Sequence, residues 1–107
     1  MILLAGGWPK FDTPMEAPPP TLDGARVLRY AVVDDSVVPT GNTVHRVGNK
    51  VLGPAAALAI CQQDGEDYFY LFYCDAQWNV VTDTWHQSLE LAFEQAEFEY
   101  RGLCFRE

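Results

Sequence analysis

Six consecutive large apolar residues, Tyr68–Tyr73 (YFYLFY), constrain this chain more than any other feature. Aromatic and branched side chains suit a pleated strand, and successive side chains of a strand point to opposite faces. Tyr68, Tyr70 and Phe72 therefore share one face, and Phe69, Leu71 and Tyr73 the other. Both faces are apolar, so the strand needs cover on both sides and neighbours for its backbone donors and acceptors. An aromatic face left uncovered would be a binding site or an aggregation liability. The turn Asp64-Gly65-Glu66-Asp67 offers the shortest antiparallel connection to a neighbour at residues 55–62 (AAALAICQ). That piece also suits a short helix with Pro54 at its first position. The strand's need for a partner favours a strand there.

The rest of the chain is consistent with a sheet followed by one helix. Arg26–Val33 alternates and ends at Asp34-Asp35-Ser36, the signature of a first strand. Turn formers Pro39-Thr40-Gly41-Asn42 follow, and Thr43–Val47 and Lys50–Leu52 flank Gly48-Asn49 as a tight hairpin would. After the turn DAQWN, Asn79–Thr82 returns as a strand. The period then changes from 2 to 3.6. Leu89, Ala92, Phe93, Ala96 and Tyr100 fall on one helical face, with Glu90, Glu94 and Glu97 beside it and Arg101 four residues after Glu97. Ser88 is the expected N-cap, Glu90 suits the positive end of the helix dipole, and Gly102 is the expected C-terminal stop. Asp83 and Thr84 fall just before this helix, where their side chains are expected to bond backbone amides. The expected fold is α+β: an antiparallel meander of about five or six strands with one C-terminal amphipathic helix packed on one face.

Residues 1–22 read differently. Five of the seven prolines lie there (Pro9, Pro14, Pro18, Pro19, Pro20), and that density denies a sheet its donors and favours an extended path. We read 1–22 as a Pro-rich arm and 23–107 as a single domain. A start at Met15 would make 1–14 an upstream extension. The arm's Ile2, Leu3, Leu4, Trp8 and Phe11 could dock on the body or on a neighbouring subunit; PPPT as a ligand for a Pro-binding domain is a weaker reading.

The net charge of −8 comes entirely from the second part of the chain. Residues 1–63 carry five acids and five bases, whereas 64–107 carry ten acids and two bases. Such a surface repels phosphate backbones and anionic lipid, which argues against nucleic acid and membrane and for a basic protein partner; a plain solubilising face is the alternative. Three cysteines without a CxxC pair, Cys61, Cys74 and Cys104, suit reduced thiols in the cytoplasm. The apolar start MILLAGGW lacks a basic lead and is shorter than the roughly 7–15 residues of a signal-peptide core.

Cys74, His86 and Asp75 or Asp83 supply the residue types of a thiolate, a base and an orienting group. No small-residue elbow surrounds Cys74, so a buried structural cysteine is the stronger reading and no catalytic residue is expected. His45 and His86 are the only histidines and have no metal-ligand spacing; Asp64, Glu66 and Asp67 lack a calcium-loop pattern. Neither metal nor cofactor is expected. Tyr68, Tyr70, Asp75, Trp78, Asp83, Trp85, His86, Glu90 and Glu94 remain as candidate partner-binding residues, because rigid aromatics anchor interfaces and charges steer them. Their alternative role is structural: Trp78 at the core's edge, the glutamates as a wet helix face.

The run FYCDAQWNVVTDTWHQSLELAFEQAEFEY resembles the C-terminal part of a family of small bacterial single-domain proteins with a D-x-x-W strand-turn, a TDTWH segment and a QAEFE helix. The resemblance covers about Val27 to Tyr100. It implies an α+β domain and carries no activity. In size and charge the chain also resembles immunity proteins, which neutralise a toxin by binding it. The reading is a non-enzymatic protein-binding module; the alternatives are a small ligand-binding or thiol-dependent enzyme domain using Cys74 and His86, and a structural homodimer that buries the second aromatic face.

Overall fold

The doubly apolar strand lies inside an antiparallel sheet, with cover on both faces. The computed structural model describes residues 15–107. In chain order it contains β1 (Thr21–Leu22), β2 (Ala25–Val32), β3 (Val38–Pro39), β4 (Arg46–Val47), β5 (Lys50–Val51), β6 (Ala57–Gln62), β7 (Phe69–Cys74), β8 (Val80–His86), helix α1 (Leu89–Glu99) and β9 (Tyr100–Arg101). The main sheet runs β1-β2-β6-β7-β8 and curls into a half-barrel; β4–β5 and β3–β9 form two small ribbons. This is the expected α+β arrangement of an antiparallel sheet and one C-terminal helix.

Residues 57–62 are strand, as the partner argument requires. β6 pairs with β2 on one side and β7 on the other, and these two ladders outweigh the local helix signal of Pro54. Its side chains alternate. Leu58 and Ile60 join Leu71, Tyr73, Ala92, Ala96 and Tyr100 in the cluster beneath the helix. Ala57, Ala59 and Cys61 join Phe72, Cys74, Leu22, Ala25 and Trp78 on the opposite face. Of the stripe its periodicity marks, the helix buries Ala92 and Ala96 and partly covers Leu89 and Phe93, whereas Tyr100 lies beyond the helix end and is buried from the strand β9.

The end of the Pro-rich segment helps to cover the second face. Leu22 is buried and pairs with Ala25, and Met15 packs against the same cluster. Trp78 holds this segment in place: its indole Nε1 donates to the Glu16 carbonyl at 2.8 Å, and its ring meets Tyr30 edge-on at 5.8 Å. The apolar residues of 1–14, Ile2 to Phe11, lie outside the described residues.

Two local expectations are corrected. β8 continues to His86, so Asp83 and Thr84 sit within a strand and do not cap the helix. The long ladder with β7, Phe69↔His86 through Tyr73↔Thr82, keeps them extended. Ser88 caps the helix, its hydroxyl accepting from Leu91 N–H at 3.1 Å. At the other end, Gly102 is not the helix stop. The helix ends at Glu99 with Tyr100 extended, because Tyr100–Arg101 pairs with Val38–Pro39. The last carbonyls are met by the turn at 40–42: Thr40 N–H donates to Glu99 O at 2.9 Å, Thr40 Oγ1 to Phe98 O at 2.7 Å and Asn42 Nδ2 to Phe98 O at 2.9 Å. These bonds satisfy carbonyls that a helix end otherwise leaves to solvent.

Gly102 has a different task. Its φ is +92°, and a Cβ there would lie 3.0 Å from the Ser36 carbonyl oxygen. Gly102→Ala should therefore lower stability by about 2 kcal/mol through backbone strain and crowding. Glu97→Ala, on the exposed helix face, should stay within about 0.5 kcal/mol of the parent. Urea unfolding of the two variants compares them directly.

Candidate functional site

Glu99 is the only buried charged residue among the described residues, at 5% exposure. Its position is electrostatically poor. It ends a helix, where the dipole disfavours negative charge, and the last turn has no basic residue. Side-chain donors make up the difference. Tyr73 Oη donates to Glu99 Oε2, Gln95 Nε2 donates to the same oxygen at 2.7 Å, and His45 Nε2 lies 2.7 Å from Oε1. The His45 tautomer with its proton on Nε2 donates to the Glu99 carboxylate. In the neutral ring Nδ1 then accepts from the Thr82 hydroxyl, 2.9 Å away.

Each partner comes from a different part of the fold. Tyr73 is on β7, Thr82 on the edge strand β8, and Gln95 one helical turn before Glu99. His45 lies in the segment leading to the β4–β5 hairpin, whose base is closed by Leu52 N–H donating to the His45 carbonyl at 2.8 Å. The His45 and Tyr73 rings also touch, with centroids 4.2 Å apart. Burial, and secondly the bond to Glu99, pushes the Tyr73 phenol well above its ordinary pKa, so it remains a donor.

This network forms one wall of a pocket of about 280 Å³ between the hairpin base and the sheet. His45, Tyr73, Thr82 and Tyr100 line it, and Leu52, Ala55 and Val81 contribute apolar surface. A β-bulge helps to shape the mouth: Cys74 pairs with Val80 and Tyr73 with Thr82, leaving Val81 as the extra residue.

A second concave surface lies on the other flank of β8. Helix residues Leu91, Glu94, Gln95 and Phe98 follow an i, i+3, i+4, i+7 spacing and, with Trp85, His86 and Gln87 at the end of β8, line an open groove of about 570 Å³. Trp85, Leu91 and Phe98 are 53%, 44% and 54% exposed. Among the described residues no strand pairs with the outer edge of β8.

The candidate partner-binding residues divide among three places. Tyr68, Tyr70 and Trp85 form one aromatic group on the sheet face away from the helix: Tyr68 lies 5.6 Å from both Tyr70 and Trp85, and Tyr70 pairs across the strands with Trp85. Asp83, opposite Phe72, is exposed on that same face. His86 belongs to the helix side. Its Nε2 bonds the Thr84 hydroxyl at 2.7 Å, and burial lowers its pKa against the opposing field of Glu99. Glu90, Glu94 and Glu97 are exposed on the helix. Asp75 and Trp78 are at the far turn. There Asp75 accepts from Gln77 N–H, Asn79 N–H and Asn79 Nδ2, which keeps its carboxyl below the ordinary carboxylate pKa, Asn79 contributing most. Asp75 thus organises the turn that sets Trp78 at a φ of +63°.

The thiol arrangement does not assemble. Cys74 faces the Trp78 cluster, while His86 lies at the opposite end of the β7–β8 pair and on the other face. Burial also pushes the Cys74 and Cys61 thiols up to about 12. All three cysteines are free, and only Cys104 is exposed. The acids Asp64, Glu66 and Asp67 sit in an exposed turn, and the described residues contain no group of three His, Cys, Asp or Glu placed to hold a metal ion. No helix among them is long and apolar enough to cross a membrane.

Iodoacetamide at pH 8 should therefore modify Cys104 alone in the native protein, with Cys61 and Cys74 reacting only after unfolding. Peptide mass spectrometry after quenching reads this; rapid native modification of Cys74 would contradict its burial. Comparisons with protein-family models, with curated proteins and with solved structures give no match.

Proposed function

We propose that this protein is a non-enzymatic binding module that receives an extended, basic segment of a partner protein along the outer edge of β8. The observation that carries this reading is the seven-residue edge, paired by no strand among the described residues, with exposed apolar groups on both flanks. An unpaired edge displays backbone donors and acceptors that an incoming strand can use. Side chains of such a strand alternate. One set would meet Tyr68, Tyr70 and Trp85; the other would enter the groove beside Leu91, Gln95 and Phe98.

Charge supports the choice of occupant. Asp83, Glu90, Glu94 and Glu97 are exposed around this region, and no Lys or Arg is among the groove's lining residues. Complementary charge would raise the association rate and make binding salt-sensitive. A partner whose own basic site is masked by this docking fits the likeness to immunity proteins, and a cytoplasmic setting fits the free thiols.

The test is affinity capture from source-cell lysate at low and moderate salt, with the parent protein and a Trp85→Ala/Phe98→Asp double variant whose circular dichroism matches the parent. The expected result is one stoichiometric basic protein, held at low salt, weakened at moderate salt and lost with the variant. Capture that ignores both salt and the variant would overturn the reading. So would a stable homodimer that buries this edge, shown by sedimentation equilibrium of parent and variant.

A further inference from the structure

The pocket at the hairpin base has features that neither the fold nor edge docking accounts for. Its polar wall is largely self-satisfied, since His45 and Tyr73 spend their hydrogen bonds on Glu99 and Thr82. Tyr100 is the exception. Its hydroxyl accepts from Ala55 N–H at 2.8 Å, and among the described residues nothing accepts the hydroxyl's own proton. The side chain is 5% exposed and lines the pocket. A buried hydroxyl normally finds an acceptor, and burial raises the Tyr100 pKa, which keeps that proton in place to be donated.

We infer that this pocket binds a small, largely apolar molecule carrying one hydrogen-bond acceptor of the carbonyl class, held by the Tyr100 hydroxyl. The volume of about 280 Å³ sits just under the usual range of roughly 300–1,000 Å³ for ligand pockets, so the ligand is of single-ring size. Leu52, Ala55 and Val81 supply apolar contact, and the tilted His45 and Tyr73 rings supply an aromatic wall. No charged ligand is favoured. The nearest buried charge, Glu99, already has three donors, and Asp75 is committed to its turn.

Acetophenone and ethylbenzene test this, because they share a ring and nearly a shape but only the first has an acceptor. Both are titrated into the full chain while the amide resonances of Ala55, Ala56 and Ala76 are followed. Acetophenone should bind about fivefold more tightly, the gain expected of one neutral hydrogen bond. Tyr100→Phe should remove that preference while leaving ethylbenzene binding unchanged. Because that variant also leaves Ala55 N–H without its acceptor, Val81→Phe is the second variant: it narrows the mouth with Tyr100 and Ala55 intact, and should abolish binding of both probes. Failure of both probes to bind the parent, equal affinity for the two, or binding indifferent to Val81→Phe would each overturn the inference.

Discussion

The carboxylate of Glu99 is the interaction on which the arrangement of the C-terminal part of the molecule depends. A buried ion left unpaired costs several kcal/mol, and a helix C-terminus makes that worse. Tyr73, Gln95 and His45 remove the penalty only if the sheet, the helix and the hairpin segment hold one mutual position. The same few residues bring the 40–42 turn onto the helix's last carbonyls. Apolar packing beneath Ala92 and Ala96 supplies the bulk of the attraction between helix and sheet, but it is non-directional. The polar bonds determine where the helix ends and where the hairpin sits.

Two surfaces follow from this positioning. Because α1 covers only one face and ends beside β7, β8 is left with an outer edge among the described residues, and the helix stripe at Leu91, Gln95 and Phe98 stands next to it. Because His45 is drawn in to Glu99, the hairpin base closes over the sheet margin and leaves a pocket rather than packed side chains. The edge is flanked by exposed apolar and acidic side chains, the features on which the proposed docking of a polypeptide rests. The pocket is small and enclosed on its polar side, suited to a fragment-sized molecule.

The apolar periodicities were legible in the sequence because burial imposes them directly. The alternation in Tyr68–Tyr73 marks the two faces, Ser88 marks the helix start, and Gly48-Asn49 marks the β4–β5 hairpin with its pairing Val47↔Lys50. The full extent of β8 was not legible, since Asp83, a poor strand former, interrupts it close to the helix start, and its ladder to β7 is what holds it extended. The polar centre was also missed. Glu99 lies three residues after Ala96 and seven after Ala92, so it falls near the buried stripe; that spacing was the available signal. It was submerged in an acidic run where Glu90, Glu94 and Glu97 are indeed exposed. Nothing local links His45, Tyr73 and Glu99, which meet across 54 and 26 residues of chain. The second apolar stripe of the helix, Leu91 and Phe98, was hidden for a related reason: its residues alternate with the acids.

The claim that Glu99 positions the hairpin and the helix end is tested most directly by residue-resolved hydrogen exchange on the parent and on Glu99→Ala. The amides of Leu52 and Thr40, which bond the His45 and Glu99 carbonyls, should lose protection by at least about tenfold in the variant, the factor that roughly 1.4 kcal/mol of local opening gives. The amides of Leu58, Ile60 and Leu71 in the sheet interior should lose far less. Equal loss at all five amides would show that Glu99 contributes only to global stability, and unchanged protection at Leu52 and Thr40 would contradict the account outright.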